Sequence, residues 1–214
     1  GIPAWGPQKV GATAAEGFLF PDTYEVPDGV KPETMIKRAI AQFNAVTEKM
    51  DFAGQAKTQS FGAGAVTDDQ KVYKALIVAS IIEREVYRPE DRGKVAQVIY
   101  NRLAQGMKLE MDSTVAYVVG RTDGVFTTDA ERKKVSPYNT YLNVGLPPAP
   151  ISSPGEAALT AAVNPEAGTW LYFVSVDLDT GETVFSSDLP THNAAVAQLK
   201  AWCAASEANQ KKCG

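Results

Sequence analysis

The chain has 214 residues, 44% of them hydrophobic, and a formal net charge of −4. That size and apolar content supply one ample core, or one domain with a small appendage, and give no sign of disorder, collagen or a coiled coil. Its Lys and Arg residues are scattered rather than gathered into a basic stripe, which excludes nucleic acid as a partner, and no apolar run approaches the roughly 18 residues of a bilayer-spanning helix.

Residues 1–15 are rich in Gly, Ala and Pro and read as a loose N-terminal arm. They have neither the charged flank nor the apolar run of a signal peptide. The sequence therefore fits a cytosolic protein or a soluble piece of a longer exported one. Phe18-Leu19-Phe20 and Thr23–Val26, around Pro21-Asp22, predict short strands or an extended pair. Pro32-Glu33 opens a helix whose apolar positions Ile36, Ile40, Phe43, Val46 and Met50 keep a helical period. Residues 54–66, with Gly54, Gly62 and Gly64, predict a loop. Asp68-Asp69 then begin a long helix, with acids at its positive end.

Pro89-Glu90-Asp91 starts a further helix with core positions Val95, Val98, Ile99 and Leu103, and Gly106 stops it. Asp112 or Ser113 caps a short apolar helix over 114–119. Residues 120–151 hold no period and carry Pro137, Pro147, Pro148 and Pro150; an irregular segment of that length inside a domain is more often functional than idle. Ser153-Pro154-Gly155-Glu156 matches a capping box that starts a helix over 157–163, ended by Asn164-Pro165. Segments 170–176 and 183–186 flank Asp179-Thr180-Gly181 and predict a β-hairpin. A last helix runs from Asn193 to Ala205, with Val196, Leu199 and Trp202 inward. Grouped helices with few strands give an α+β class: a helix-rich domain with a small antiparallel hairpin.

Glu83 is the residue that stands out. On a wheel of 3.6 residues per turn, Val72, Leu76, Ala79 and Val86 fall within about 60° of it. Lys71, Lys74, Arg84, Glu85 and Arg88 fall on the far side, so Glu85 belongs to the expected solvated face and Glu83 to the apolar one. Poor solvation of a carboxylate raises its pKa, the property a general acid needs. A structural glutamate satisfied by an Arg or by backbone donors fits the same pattern.

The remaining chemistry is sparse. The single histidine, His192, follows Thr191, which looks like a helix N-cap, and reads as a capping-region or surface residue; any Ser-His-Asp or Cys-His catalysis would have to run through it. With one His and two distant Cys, no zinc site of ordinary spacing can be assembled. Cys203 and Cys213 are compatible with a disulfide in an oxidising compartment and equally with two free thiols.

Several separated blocks resemble one family. Glu16-Gly-Phe-Leu-Phe-Pro-Asp-Thr-Tyr24, Ala79-Ser-Ile-Ile-Glu-Arg-Glu85 and Val95-Ala-Gln-Val-Ile-Tyr-Asn-Arg-Leu103 with Gly106-Met-Lys-Leu109 come first in order. Asp112-Ser-Thr-Val-Ala-Tyr117, Ser136-Pro-Tyr-Asn-Thr-Tyr141, Gly145–Gly155, Phe185-Ser186 and Thr191-His-Asn193 follow. Together, over about residues 16 to 202, they are similar to the YceG-like (MltG) family of endolytic murein transglycosylases. The resemblance implies a catalytic domain over 16–202, with 203–214 as a Cys-containing tail. It implies that Glu83 is the catalytic acid/base. Asn101, Asp112, Thr114, Tyr138, Asn139 and Tyr141 align with conspicuous motif positions, and Glu16, Tyr24 and Tyr117 join them as candidate substrate-binding residues. Each has a plainer reading. Asn101 and Asn139 suit turns or caps, the tyrosines suit a core, Asp112 suits a helix cap, and Arg102 suits either an ion pair or solvent.

The activity implied is non-hydrolytic cleavage of the β-1,4 bond between N-acetylmuramic acid and N-acetylglucosamine in nascent glycan strands, leaving 1,6-anhydro ends. No metal or organic cofactor is expected. The family also implies an N-terminal membrane anchor outside this sequence, a place on the extracytoplasmic face of the bacterial envelope, and peptidoglycan synthases of the elongation or division machinery as partners. Two other readings remain open: a hydrolase on the same bond with Asp112 or Glu110 as water base, and an inactive wall-binding module.

Overall fold

The computed structural model describes residues 1–7, 15–64, 66–86, 88–121 and 126–213. In chain order these form α1 (Pro32–Lys49), α2 (Phe52–Ala56), α3 (Asp68–Glu85), a 3-10 turn (Pro89–Asp91), α4 (Arg92–Ala104), α5 (Asp112–Val119) and α6 (Asp129–Arg132). There follow α7 (Glu156–Val163), the strands β1 (Tyr172–Asp177) and β2 (Glu182–Ser186), α8 (Leu189–Ala204) and α9 (Glu207–Cys213). The two strands pair antiparallel, with Phe173 opposite Phe185 and Val174 opposite Val184. A helix-rich α+β domain with one small hairpin is what the order of elements predicts.

The helix that matters most is not amphipathic. Every residue of α3 from Ala75 to Ile82 is buried, because α2, α4, α5 and α7 surround it. The division of this helix into an apolar and a solvated face therefore fails over its middle turns. It is a central helix whose charged residues sit at its two ends. Its N-terminus is closed by a capping box in which Thr67 accepts from the Gln70 amide and Gln70 reaches back to the Thr67 amide. Thr67→Ala is expected to cost about 1 kcal/mol, read as a fall in the denaturant midpoint at constant slope.

Other local expectations are corrected. Among the described residues, 18–26 form no strand: Phe20 N–H donates to Ala39 O on α1, and Tyr24 Oη donates to Phe20 O, so helix and side-chain partners replace a neighbouring strand. The predicted loop over 54–66 contains the end of α2, seated by buried Phe52 and Ala56; Ala65 of that loop lies outside the described residues. Ser153 does not cap α7, which begins later at Glu156 with Gly155 as its N-cap. Asp112 is the first residue of α5 rather than its cap. Asp188, not Thr191, caps α8, accepting from Thr191 N–H. Most of the irregular 120–151 segment is indeed irregular, with α6 inside it; residues 122–125 lie outside the described set.

Residues 1–7 of the expected arm lie against the core, where the Trp5 ring meets Phe18, Phe43 and Phe52 at 5.6–6.2 Å between centroids; residues 8–14 lie outside the described set. Gly17 joins two motifs. Its φ of +87° is open mainly to glycine, and a Cβ there would come within 2.6 Å of Pro150. The block beginning at Glu16 and the proline-rich block ending at Pro150 are thus packed directly on one another.

Candidate active site

The last turn of α3 delivers two carboxylates to one cleft of about 760 Å³. Its floor is Glu83–Val86 with Asp112, Ser113 and Ala116 of α5; its far wall is the hairpin turn Leu178–Gly181 together with Lys211 and Lys212 of α9. A shallower groove lies on the other side, lined by Arg92 and Gly93 of α4 and by Glu156 and Thr160 of α7.

Glu83 is held between these two depressions. Its Oε2 accepts the Gly155 N–H at 3.0 Å, just ahead of the positive end of α7, and its Oε1 lies 3.6 Å from an Arg92 guanidinium nitrogen. The Glu83 side chain is 28% exposed, so it is not sealed in an apolar face as its position on the helical wheel predicts. It is a half-buried carboxylate with one backbone donor, a guanidinium close by and access to the cleft. The loop that supplies Gly155 is stitched to the same helix by Ile151 N–H to Ser80 Oγ and by Ser152 Oγ to Ser80 O.

Glu85, expected on the solvated face, is the desolvated carboxylate of the pair. Its Oε1 accepts the Ser113 N–H at 3.1 Å at the start of α5. Burial pushes its pKa up to about 7, against the lowering effect of the Ser113 hydrogen bonds and Arg84, and Asp112 nearby adds to the rise. The helix ends at Glu85, whose side chain reaches the start of α5 rather than open water.

Asp112 also lines the cleft, but its oxygens are engaged. Tyr141 Oη and Thr127 Oγ1 donate to Oδ1, at 2.6 and 2.5 Å, and Arg132 lies 3.3 Å from Oδ2. Burial and then Asp112 push the Tyr141 phenol well above the usual range, so it is a fixed donor. Tyr141→Phe is expected to cost about 1 kcal/mol of stability and to loosen α5 against the 136–141 turn, measurable as faster amide exchange at the start of α5.

The other sequence-derived candidates have structural partners, and none lines this cleft. Asn101 donates to Gly168 O and Trp170 O and so ties α4 to the approach to β1. Thr114, fully buried, donates to Met111 O and pairs with Thr140. Asn139, also fully buried, donates to Arg132 O and Lys134 O and accepts from Tyr141 N–H. Tyr117 Oη donates to Glu16 at 2.6 Å, and its ring meets Tyr138 at 4.9 Å. Burial and Glu16 both raise the Tyr117 pKa beyond the ordinary phenol range. Tyr24 serves the backbone at Phe20. Arg102 neither faces solvent nor reaches the cleft; it is buried, donating to Leu171 O, Lys108 O and Leu109 O and pairing with Glu110. That pair holds Glu110, whose side chain is half-exposed and outside the cleft.

His192 stacks on Tyr172 with 5.1 Å between rings, and burial, then Arg102, lower its pKa. Cys203 and Cys213 form a disulfide. Among the described residues no group of three or more His, Cys, Asp or Glu side chains could hold a metal ion, and no helix is long and apolar enough to cross a membrane.

Sequence reasoning missed Glu85, Arg92, Gly155 and the tail lysines. One signal was available: the run Ala75–Ile82 has no charged residue on any side, which no surface helix shows. It points to a central helix whose tip, carrying both glutamates, faces the site. Nothing in the spacing marks Arg92 or the tail.

The profile of the YceG-like family matches residues 5–198. An endolytic murein transglycosylase of Bacillus subtilis is 38% identical over 182 residues, covering 84% of this chain and 46% of the relative. One of Streptococcus pneumoniae is 30% identical over 188 residues, covering 86% of this chain and 32% of the relative. A crystal structure of a YceG-like protein from Listeria monocytogenes superposes with a TM-score of 0.73 at 37% identity, covering 85% of this chain and 55% of that one. The chain thus spans less than half the length of these two named transglycosylases.

Proposed function

Because the chain belongs to the YceG-like family, we propose that it carries the catalytic domain of an endolytic lytic transglycosylase, cleaving the β-1,4 bond between N-acetylmuramic acid and N-acetylglucosamine. The observation that carries this reading is the setting of Glu83: a cleft-facing carboxyl with one oxygen on the Gly155 amide and the other near Arg92. Glu83, protonated, gives its proton to the glycosidic oxygen as the bond to the anomeric carbon breaks. The Gly155 N–H and Arg92 stabilise the carboxylate so formed. That carboxylate then takes the proton of the muramic acid C6 hydroxyl as its oxygen bonds to the anomeric carbon, which closes the 1,6-anhydro ring and returns Glu83 to its starting state. No water is consumed. The nucleophile belongs to the sugar, so its high effective concentration replaces the second carboxylate of an ordinary glycosidase.

The Cys203–Cys213 bond supports an exported, oxidising location. An envelope site with a membrane anchor, and contact with peptidoglycan synthases of the elongation or division machinery, follow from the family resemblance. Mass analysis of digested glycan tests the chemistry. One 1,6-anhydro end per bond broken is expected, the other new terminus being a non-reducing N-acetylglucosamine with a free 4-hydroxyl, and a reducing end in place of the anhydro end would establish hydrolysis.

A second reading has one observation in its favour. Glu85 shares the cleft and has a pKa near 7, where a general acid works best. In that reading Glu85 is the proton donor and Glu83 positions substrate. Loss of turnover in Glu85→Gln together with its survival in Glu83→Gln would select it.

A further inference from the structure

The far wall of the cleft contains two cations that come from outside the family's matched region. The YceG-like match ends at residue 198, whereas Lys211 and Lys212 lie on α9. Three things hold α9 in place. The Cys203–Cys213 bond folds it back on α8, Asn209 donates to Trp202 O, and Lys212 pairs with Asp179 of the hairpin turn. The hairpin turn is itself fixed by Arg88, which donates to Thr180 O at 2.8 Å. Four carboxylates line the same cleft. Glu83, Asp112 and Asp179 have Arg92, Arg132 and Lys212 as partners, and Glu85 accepts from Ser113. Arg121, another lining cation, is paired with Glu131. Arg84 acts on neighbouring Glu85, and Lys211 lines the cleft with no ion-pair partner among the described residues. The uncommitted charge in this space is positive.

We propose that Lys211 and Lys212, held in place by the Cys203–Cys213 bond, form a carboxylate-binding wall that takes the acidic peptide borne by muramic acid while the glycan lies across Glu83. This rests on the transglycosylase reading for its substrate. Exposed ammonium–carboxylate pairs are weak and salt-screened, so the wall tunes affinity and choice of substrate rather than the chemical step.

The test measures binding in a Glu83→Gln background, where strands stay intact, using glycan strands that bear stem peptides and the same strands stripped of peptide by an amidase. Adding Lys211→Ala with Lys212→Ala is expected to weaken binding of peptide-bearing strands about tenfold at low salt, less at 0.5 M salt, and to leave stripped strands nearly unaffected. Reduction of the disulfide, or Cys203→Ser, should reproduce the loss. Lys212→Ala removes one of the three ties on α9, whereas Lys211→Ala alone breaks none of them and should keep part of the selective loss, so the result does not depend on how well the cysteine or Lys212 variant folds. Equal binding of both strand types, an equal loss on both, or no binding of either overturns the wall. Cleavage is read separately on the protein with Glu83 present: lysine-dependent binding without any cleavage would sink the transglycosylase reading and leave the wall standing.

Discussion

Glu83→Gln is expected to lower the rate of glycan cleavage by about 10³-fold, within the range a positioned general acid supplies. The amide keeps an acceptor for the Gly155 N–H, so the loop and α7 stay docked. What is lost is the transferable proton and the charge facing Arg92. That ion pair is partly exposed and long, at 3.6 Å, so its removal should change stability by less than about 1 kcal/mol. The expected pattern is therefore a large fall in kcat, an almost unchanged melting temperature and retained glycan binding. Parent-like turnover in this variant would refute Glu83 as the proton donor, whatever happens to KM.

Stability of the parent protein is expected to fall as pH rises from 5 to 8, and Glu85→Gln should remove most of that fall. The folded protein holds the Glu85 proton up to about pH 7, whereas an ordinary glutamate carboxyl releases it near 4.5. Between those limits the native state binds more protons than the unfolded chain, so the contribution is complete below the lower value and lost through the upper one. The full shift would correspond to about 3 kcal/mol; water in the cleft screens part of it, which leaves about 2 kcal/mol. Urea unfolding at pH 5 and pH 8 measures the difference directly. Parallel behaviour of parent and variant across that range would mean that the Glu85 carboxyl is solvated.

The sequence was most legible where a local rule acts alone. The hairpin around Asp179-Thr180-Gly181 and α1 after Pro32 appear close to where turn chemistry and periodicity put them. The motif blocks also pointed to the cleft, through Glu83 and Asp112. Legibility failed where tertiary packing overrode the local signal. A wheel assumes one wet face, and α3 has none over its middle turns, so Glu85 was assigned to solvent when its true neighbour is the start of α5. Ser153-Pro154-Gly155-Glu156 satisfies the capping-box pattern, yet the chain there stays extended and gives the Gly155 amide to Glu83. Asn101, Thr114 and Asn139, at motif positions, donate to main-chain carbonyls outside the cleft. A motif position does not by itself distinguish a group that touches substrate from one that builds the frame.

The partner of Glu83 at Gly155 is main chain, and this has an evolutionary consequence. Its φ of −81° suits any residue, and a Cβ there would meet Glu83 and Pro21 at an ordinary 3.7 Å. Drift at position 155 can exchange the side chain without touching the donor, and among the common amino acids only proline, which has no N–H, abolishes it. The Glu83 carboxylate is thus insured against most point changes in its own support.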